Sequence, residues 1–131
     1  MKLLLDTHIW LWSEGDVAKL TPRVAENLEN PENEKWISPI SVWELLVLIE
    51  KRRITLTEDA ESWVARSILD SGLKEAPLST EVVLAIRNIH LPHHDPADLF
   101  LAATAKVFDL TLVTADERLL AVKGLTTMAN R

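Results

Sequence analysis

The chain has 131 residues, no cysteine and a formal charge of −6, which excludes disulfides and thiolate metal sites and is compatible with a reducing, cytoplasmic setting. The acidic balance also argues against broad nonspecific nucleic-acid binding, which rests on neutralising phosphates. With 47% hydrophobic and 26% charged residues, the sequence reads as one ordinary globular domain over 1–131, long enough for one real core.

The N-terminal run Met1 to Asp6 is too short for a signal peptide and ends on a charge. No apolar run approaches the roughly 20 residues of a membrane span, so no membrane partner is expected. Lys2 to Leu5 reads as a short buried strand stopping at Asp6. Thr7 is placed to cap a helix that begins with Ile9, Trp10, Leu11 and Trp12. Asp6 then lies at the carboxyl end of a strand, the edge where open α/β sheets bind ligands. Its plain structural reading is a helix cap.

Thr21 and Pro22 give a cap followed by an N1 proline, for a helix to about Glu29 that Asn30 and Pro31 stop. Lys35 to Ser38 reads as a strand centred on Trp36 and Ile37. Ser41 and Glu44 have the spacing of a capping box, which puts Glu44 at the start of a helix running through Ile49. That helix ends in Lys51, Arg52 and Arg53, which complement its dipole. A solvated helix terminus is their plain reading, beside contact with RNA phosphates.

Thr57 is the expected cap of a further helix, with Glu58 and Asp59 in its first turn and Ser71 and Gly72 at its close. Leu73 to Leu78 reads as a connector with strand character near Glu75 and Ala76. Ser79 caps a helix to about Asn88, with Val82, Val83, Ala85 and Ile86 inward, and Leu91 and Pro92 break the chain.

The stretch from His93 to Ala105 follows. Asp95 is a good N-cap, Pro96 sits at N1, and Asp98 falls at N3, where the helix dipole favours negative charge. The small residues beyond let the helix pack closely on a sheet. Asp109 makes a turn, Thr111 to Thr114 reads as a second apolar strand, and Asp116 begins a short helical turn through Leu120. Leu125 to Met128 adds an edge strand. Strands alternate with helices throughout, which predicts a three-layer α/β/α fold with a central parallel sheet.

Acidic residues punctuate the element boundaries at Asp6, Glu44, Asp95, Asp98 and Asp116. In a parallel sheet the strand ends share one edge, and the following helices begin there. Carboxylates gathered at that edge repel one another, and a divalent cation removes the penalty. All-oxygen ligands favour Mg²⁺ or Mn²⁺ over zinc. Such an ion activates water and neutralises charge on a phosphoryl group under attack.

Four segments carry a family resemblance: Leu3 to His8, Ile40 to Leu45, His93 to Ala105, and Val113 to Glu117. In this order they resemble a PIN-domain ribonuclease of the VapC toxin type. The resemblance implies a PIN fold, Mg²⁺- or Mn²⁺-dependent cleavage of RNA, a cognate antitoxin that blocks the site, and frequent homodimers. By motif position the family's acidic quartet falls on Asp6, Glu44, Asp98 and Asp116, with Asp95 an accessory and Thr114 the accompanying hydroxyl. On this reading Asp6, Asp98 and Asp116 hold the metal and Glu44 handles the attacking water. The pattern departs at two positions, where His94 and Leu99 replace basic residues.

Other readings weigh less. His93 and His94 are adjacent, so they do not point at one zinc ion. A haloacid-dehalogenase site wants a second Asp two residues after Asp6, where this chain has His8. Phosphate-cradling nucleotide folds need glycine patterns, and the chain has three glycines in all. The second functional reading is a PIN-like protein-binding module with weak or no catalysis, supported by Leu99. Trp10, Trp12, Trp43 and Trp63 read as core; any found exposed would mark a dimer or antitoxin surface.

Overall fold

Side-chain alternation along two short apolar strands sets the layers. The computed structural model describes residues 1–92 and 95–131, so the readings made for His93 and His94 lie outside it. In β1 (Lys2–Leu5), Leu4 packs on one side of the sheet and Leu3 and Leu5 on the other. In β4 (Thr111–Thr114), Leu112 joins the Leu4 side and Val113 the opposite one.

Helices cover both sides. The Leu4 side is packed by α5 (Thr80–Ala85), α6 (Pro96–Val107) and α7 (Glu117–Leu120), through Val82, Leu101 and Leu119. The other is packed by α1 (Thr7–Gly15), α2 (Pro22–Glu29) and α4 (Ala60–Ser71), through Ile9, Trp10, Val24, Leu28 and Ile68. The helix α3 (Pro39–Glu50) serves both layers, with Ile40 in one core and Leu45 in the other. With β2 (Glu34–Ile37), β3 (Leu73–Glu75) and β5 (Thr127–Ala129), the strands form a five-stranded sheet in the order β3-β2-β1-β4-β5. Every adjacent pair is parallel, giving the expected three-layer α/β/α architecture.

This order has one consequence for function. From β1 the chain moves outward to β2 and β3, then returns to the other side of β1 for β4 and β5. The strand order therefore reverses between β1 and β4, and their carboxyl ends flank the crevice where open sheets take ligands.

Several local expectations are corrected. The cap of α3 is Ser38, whose side chain accepts from the Ile40 N–H, with Pro39 in the first turn. Ser41 is thus a buried residue inside the helix, and Glu44 lies in the second turn rather than at the start. A strong cap-plus-proline signal outcompeted the capping box. Asp59, not Thr57, caps α4 by accepting from the Ser62 N–H at 2.9 Å. The Ser79 helix gives way to a 3₁₀ turn over Ile86–Asn88, and Val83 faces solvent. Trp10 is fully buried, but Trp43 is 54% exposed and is not core.

Three helices end on a residue in the left-handed region: Gly72 after α4, Asp109 after α6 and Arg52 after α3. At α3, the Arg52 N–H bonds the Ile49 carbonyl and the Arg53 N–H bonds the Leu48 carbonyl, the two bonds of a Schellman close. Glycine takes that conformation freely and Asp tolerates it, whereas for arginine it costs roughly 1–2 kcal/mol.

Candidate active site

Asp6 occupies the N-cap position of α1, yet its carboxylate makes no cap bond. Its Oδ2 instead accepts from the Thr114 hydroxyl at 2.6 Å, across the gap between the ends of β1 and β4. The same hydroxyl accepts from the Asp116 N–H at 3.0 Å. Thr114 is fully buried, so one side-chain oxygen links two acidic positions at the point where the strand order reverses.

Glu44 reaches this edge from α3. Its Oε1 lies 2.5 Å from the Thr7 hydroxyl, next in sequence to Asp6. Thr7 also bonds the buried Ser41 hydroxyl at 2.8 Å. A hydroxyl carries one proton. With Thr7 donating to Glu44, the proton of the second bond comes from Ser41, and the three side chains form a short relay.

The remaining acids stand at helix starts, as expected. Asp95 caps α6 by accepting from the Ala97 N–H at 3.0 Å. Asp98, in the first turn of α6, is only 7% exposed. Asp116 caps α7 by accepting from the Arg118 N–H at 2.8 Å, and the Arg118 guanidinium lies 3.2 Å from its other oxygen.

These groups sense one another. Burial pushes the Asp6 carboxyl above its ordinary range, against the Thr114 bond, the Thr7 N–H and the His8 charge, and Asp116 adds repulsion. Glu44 is raised to about 7, first by burial and then by the charges of Asp6, Asp95 and Asp98, with the Thr7 bond opposing. Arg118 is coupled in turn to Asp116, Asp98 and Asp95. Folding thus collects Asp6, Glu44, Asp95, Asp98 and Asp116 from the whole chain length into one electrostatic neighbourhood.

The donor set suits a hard cation: carboxylate oxygens, with burial disfavouring the charge on Asp6 and on the half-buried Glu44. Among the described residues, no three acids or histidines stand close enough to form a ready-made cage. Mg²⁺ does not require one, since it keeps several waters and is commonly held by one or two carboxylates plus substrate phosphate.

Sequence reading missed three contributors. Thr7 and Ser41 bear on Glu44; the signals were the Asp6-Thr7 dipeptide and the three-residue spacing from Ser41 to Glu44 on one helix face. Arg118 supplies a cation at the acidic edge, two residues past Asp116, although Leu99 stands where a basic residue was expected.

A parallel α/β/α domain with acids gathered where its strand order reverses defines a class of sheet-edge acidic sites. Within that class, the PIN domain family profile matches residues 3–125, and the chain belongs to that family. PIN domains are generally nucleases. No curated protein matches the sequence. Among solved structures, the chain is similar to one in VapBC2 from Rickettsia felis bound to a fragment of promoter DNA, at TM-score 0.73 and 20% identity, covering 98% of each chain. DNA-bound VapBC from Salmonella typhimurium gives 0.67 at 18% identity, covering 100% of this chain and 99% of that one. FitAcB from Neisseria gonorrhoeae gives 0.61 at 20%, covering 98% and 97%. At these identities the likeness is one of fold.

Proposed function

We propose that this single-domain chain is a Mg²⁺- or Mn²⁺-dependent endoribonuclease and the toxin of a type II toxin–antitoxin pair. The observation that carries the reading is the electrostatic neighbourhood shared by Asp6, Glu44, Asp98 and Asp116, with the Thr114 hydroxyl bonded to Asp6 and to the Asp116 N–H. Family membership supports nuclease chemistry, and the fold shared with chains of VapBC and FitAcB structures supports an antitoxin partner.

Asp6, Asp98 and Asp116 hold the metal, directly or through water. When bound, the ion supplies an activated water and offsets charge on the phosphoryl oxygens. Glu44, with a pKa of about 7, positions the attacking water and takes its proton at Oε2, while Thr7 fixes Oε1. Thr114 fixes the Asp6 oxygen that faces β4, and Asp95 tunes the group electrostatically. The setting is cytoplasmic. A homodimer forms through α3, where Trp43 and Leu46 are 54% and 46% exposed.

The test is cleavage of structured RNA by the purified chain with Mn²⁺ or Mg²⁺, its loss with chelator, and its loss in Asp6→Asn and Asp98→Asn. Full activity in those variants defeats the assignment. A neighbouring reading frame for a small, DNA-binding, partly disordered protein tests the toxin role. The alternative, a binding module without catalysis, rests on Leu99 and predicts that the chain need not hold the ion.

A further inference from the structure

In the single turn of α7, Arg118 folds back over its own cap. Asp116 Oδ1 accepts twice from this residue, from the backbone N–H at 2.8 Å and from Nε at 3.3 Å, and Nη2 lies 3.2 Å from Oδ2. A carboxylate oxygen has two lone-pair sites, so Arg118 alone fills Oδ1 while its guanidinium spans both oxygens. The backbone beneath is fixed, because the Asp116 N–H is tied at 3.0 Å to the fully buried Thr114 hydroxyl. The charge of Arg118 also acts with Asp98 and Asp95, so one cation serves three acids of the site. Lys19, Arg66, Lys74 and Arg131 each pair with an acid outside it.

The sequence gives this placement its meaning. The family pattern has a basic residue where this chain has Leu99, and Leu99 packs against the apolar core. Positive charge among the acids therefore comes from α7, and it comes on an oxygen pair that a divalent cation would use.

We infer that Arg118 is a built-in competitor of that cation: its guanidinium holds Asp116, and it must release the carboxylate for a divalent ion to bind there. Only one part of the reading above is needed, that Asp116 helps to hold the ion. Two positive groups cannot share the same oxygens without repelling each other. The pair can open, since the Arg118 side chain is 54% exposed and Asp116 25%, and ion pairs so close to water are weak. The competitor lowers the apparent affinity for the ion by the fraction of molecules in which Asp116 is released. An arginine does not lose its proton in a protein, so pH does not relieve this hold as it changes Glu44. Divalent cation concentration is then what sets how much of the protein is loaded.

The test is calorimetric titration of Mn²⁺ alone into the full-length chain and two variants. Arg118→Gln, a change at an exposed side chain, binds Mn²⁺ about three- to tenfold more tightly than wild type, from loss of the weak pair and of the repulsion. Arg131→Gln removes the same charge from the neighbouring pair with Glu117 and stays within about twofold of wild type. In thermal melts Arg118→Gln gains more from a fixed Mn²⁺ concentration than wild type does. If Arg118→Gln binds Mn²⁺ no more tightly, or Arg131→Gln tightens it as much, the competitor role falls, and RNA cleavage by the Mn²⁺-loaded wild type would leave the nuclease reading standing. If Arg118→Gln gains affinity but neither protein cuts RNA, the nuclease reading falls and the competitor remains. If neither protein binds Mn²⁺ at millimolar concentration, both fall.

Discussion

The Thr114 hydroxyl donates to Asp6 Oδ2 at 2.6 Å, joining residues 108 positions apart across the ends of two adjacent parallel strands. It accepts the Asp116 N–H at the same time, so Thr114→Val strips partners from both acidic positions. Such a change should destabilise the fold by about 1–3 kcal/mol. It should also weaken metal affinity or activity by roughly 10–100-fold, as lost support of a ligand does. Metal titration read by cleavage rate, together with urea unfolding, checks both. An unchanged metal dependence would show that the bond is merely structural.

Replacing Asp6 by Asn preserves the acceptor for Thr114 while removing a charge that burial disfavours. The variant should fold at least as stably as wild type and cut no RNA. It should also lose the rise in melting temperature that Mn²⁺ gives the wild type, since an ion that binds only the folded state stabilises it. Circular dichroism melts with and without Mn²⁺ read this directly.

Glu44 makes stability depend on pH. Its folded pKa of about 7 lies above the ordinary glutamate value of 4.5, so between those pH values the folded state binds more protons than the unfolded one. Stability contributed by the protonated carboxyl is complete below about pH 4.5 and is lost as pH rises through 7. The full shift corresponds to about 3 kcal/mol, which solvent screening reduces to about 1–2. Glu44→Gln should therefore be the more stable protein at pH 8, with the difference gone at pH 4. The metal-dependent rate should rise through neutral pH in the wild type only.

The corrected cap of α4 gives a test of the fold itself. Asp59→Ala should lower the melting temperature by a few degrees, because the Ser62 N–H loses its acceptor. Thr57→Ala should leave it unchanged, the reverse of what the sequence pattern suggested.

Trp43 tests the proposed dimer. Trp43→Glu should shift the sedimentation coefficient to that of a monomer while leaving the far-UV spectrum intact, since the side chain lies outside both cores. A wild type that already sediments as a monomer would remove the proposal.

Local chemistry was legible in the sequence. Asp95, Pro96 and Asp98 announce their helix start, and Leu3 to Leu5 and Thr111 to Thr114 announce buried strands, because caps and apolar runs act within a few residues. The acids at element boundaries, read with the alternation of strands and helices, pointed to one sheet edge as the candidate site. The choice between Ser38 and Ser41 as cap was not legible, since two signals three residues apart compete and the packing of α3 decides. The Asp6–Thr114 bond and the Ser41–Thr7–Glu44 relay belong to tertiary structure alone. Each joins side chains whose separation depends on strand order and helix docking. The pKa of Glu44 has the same origin: burial and the charges of Asp6, Asp95 and Asp98 raise it, and none of these acts until the chain has folded.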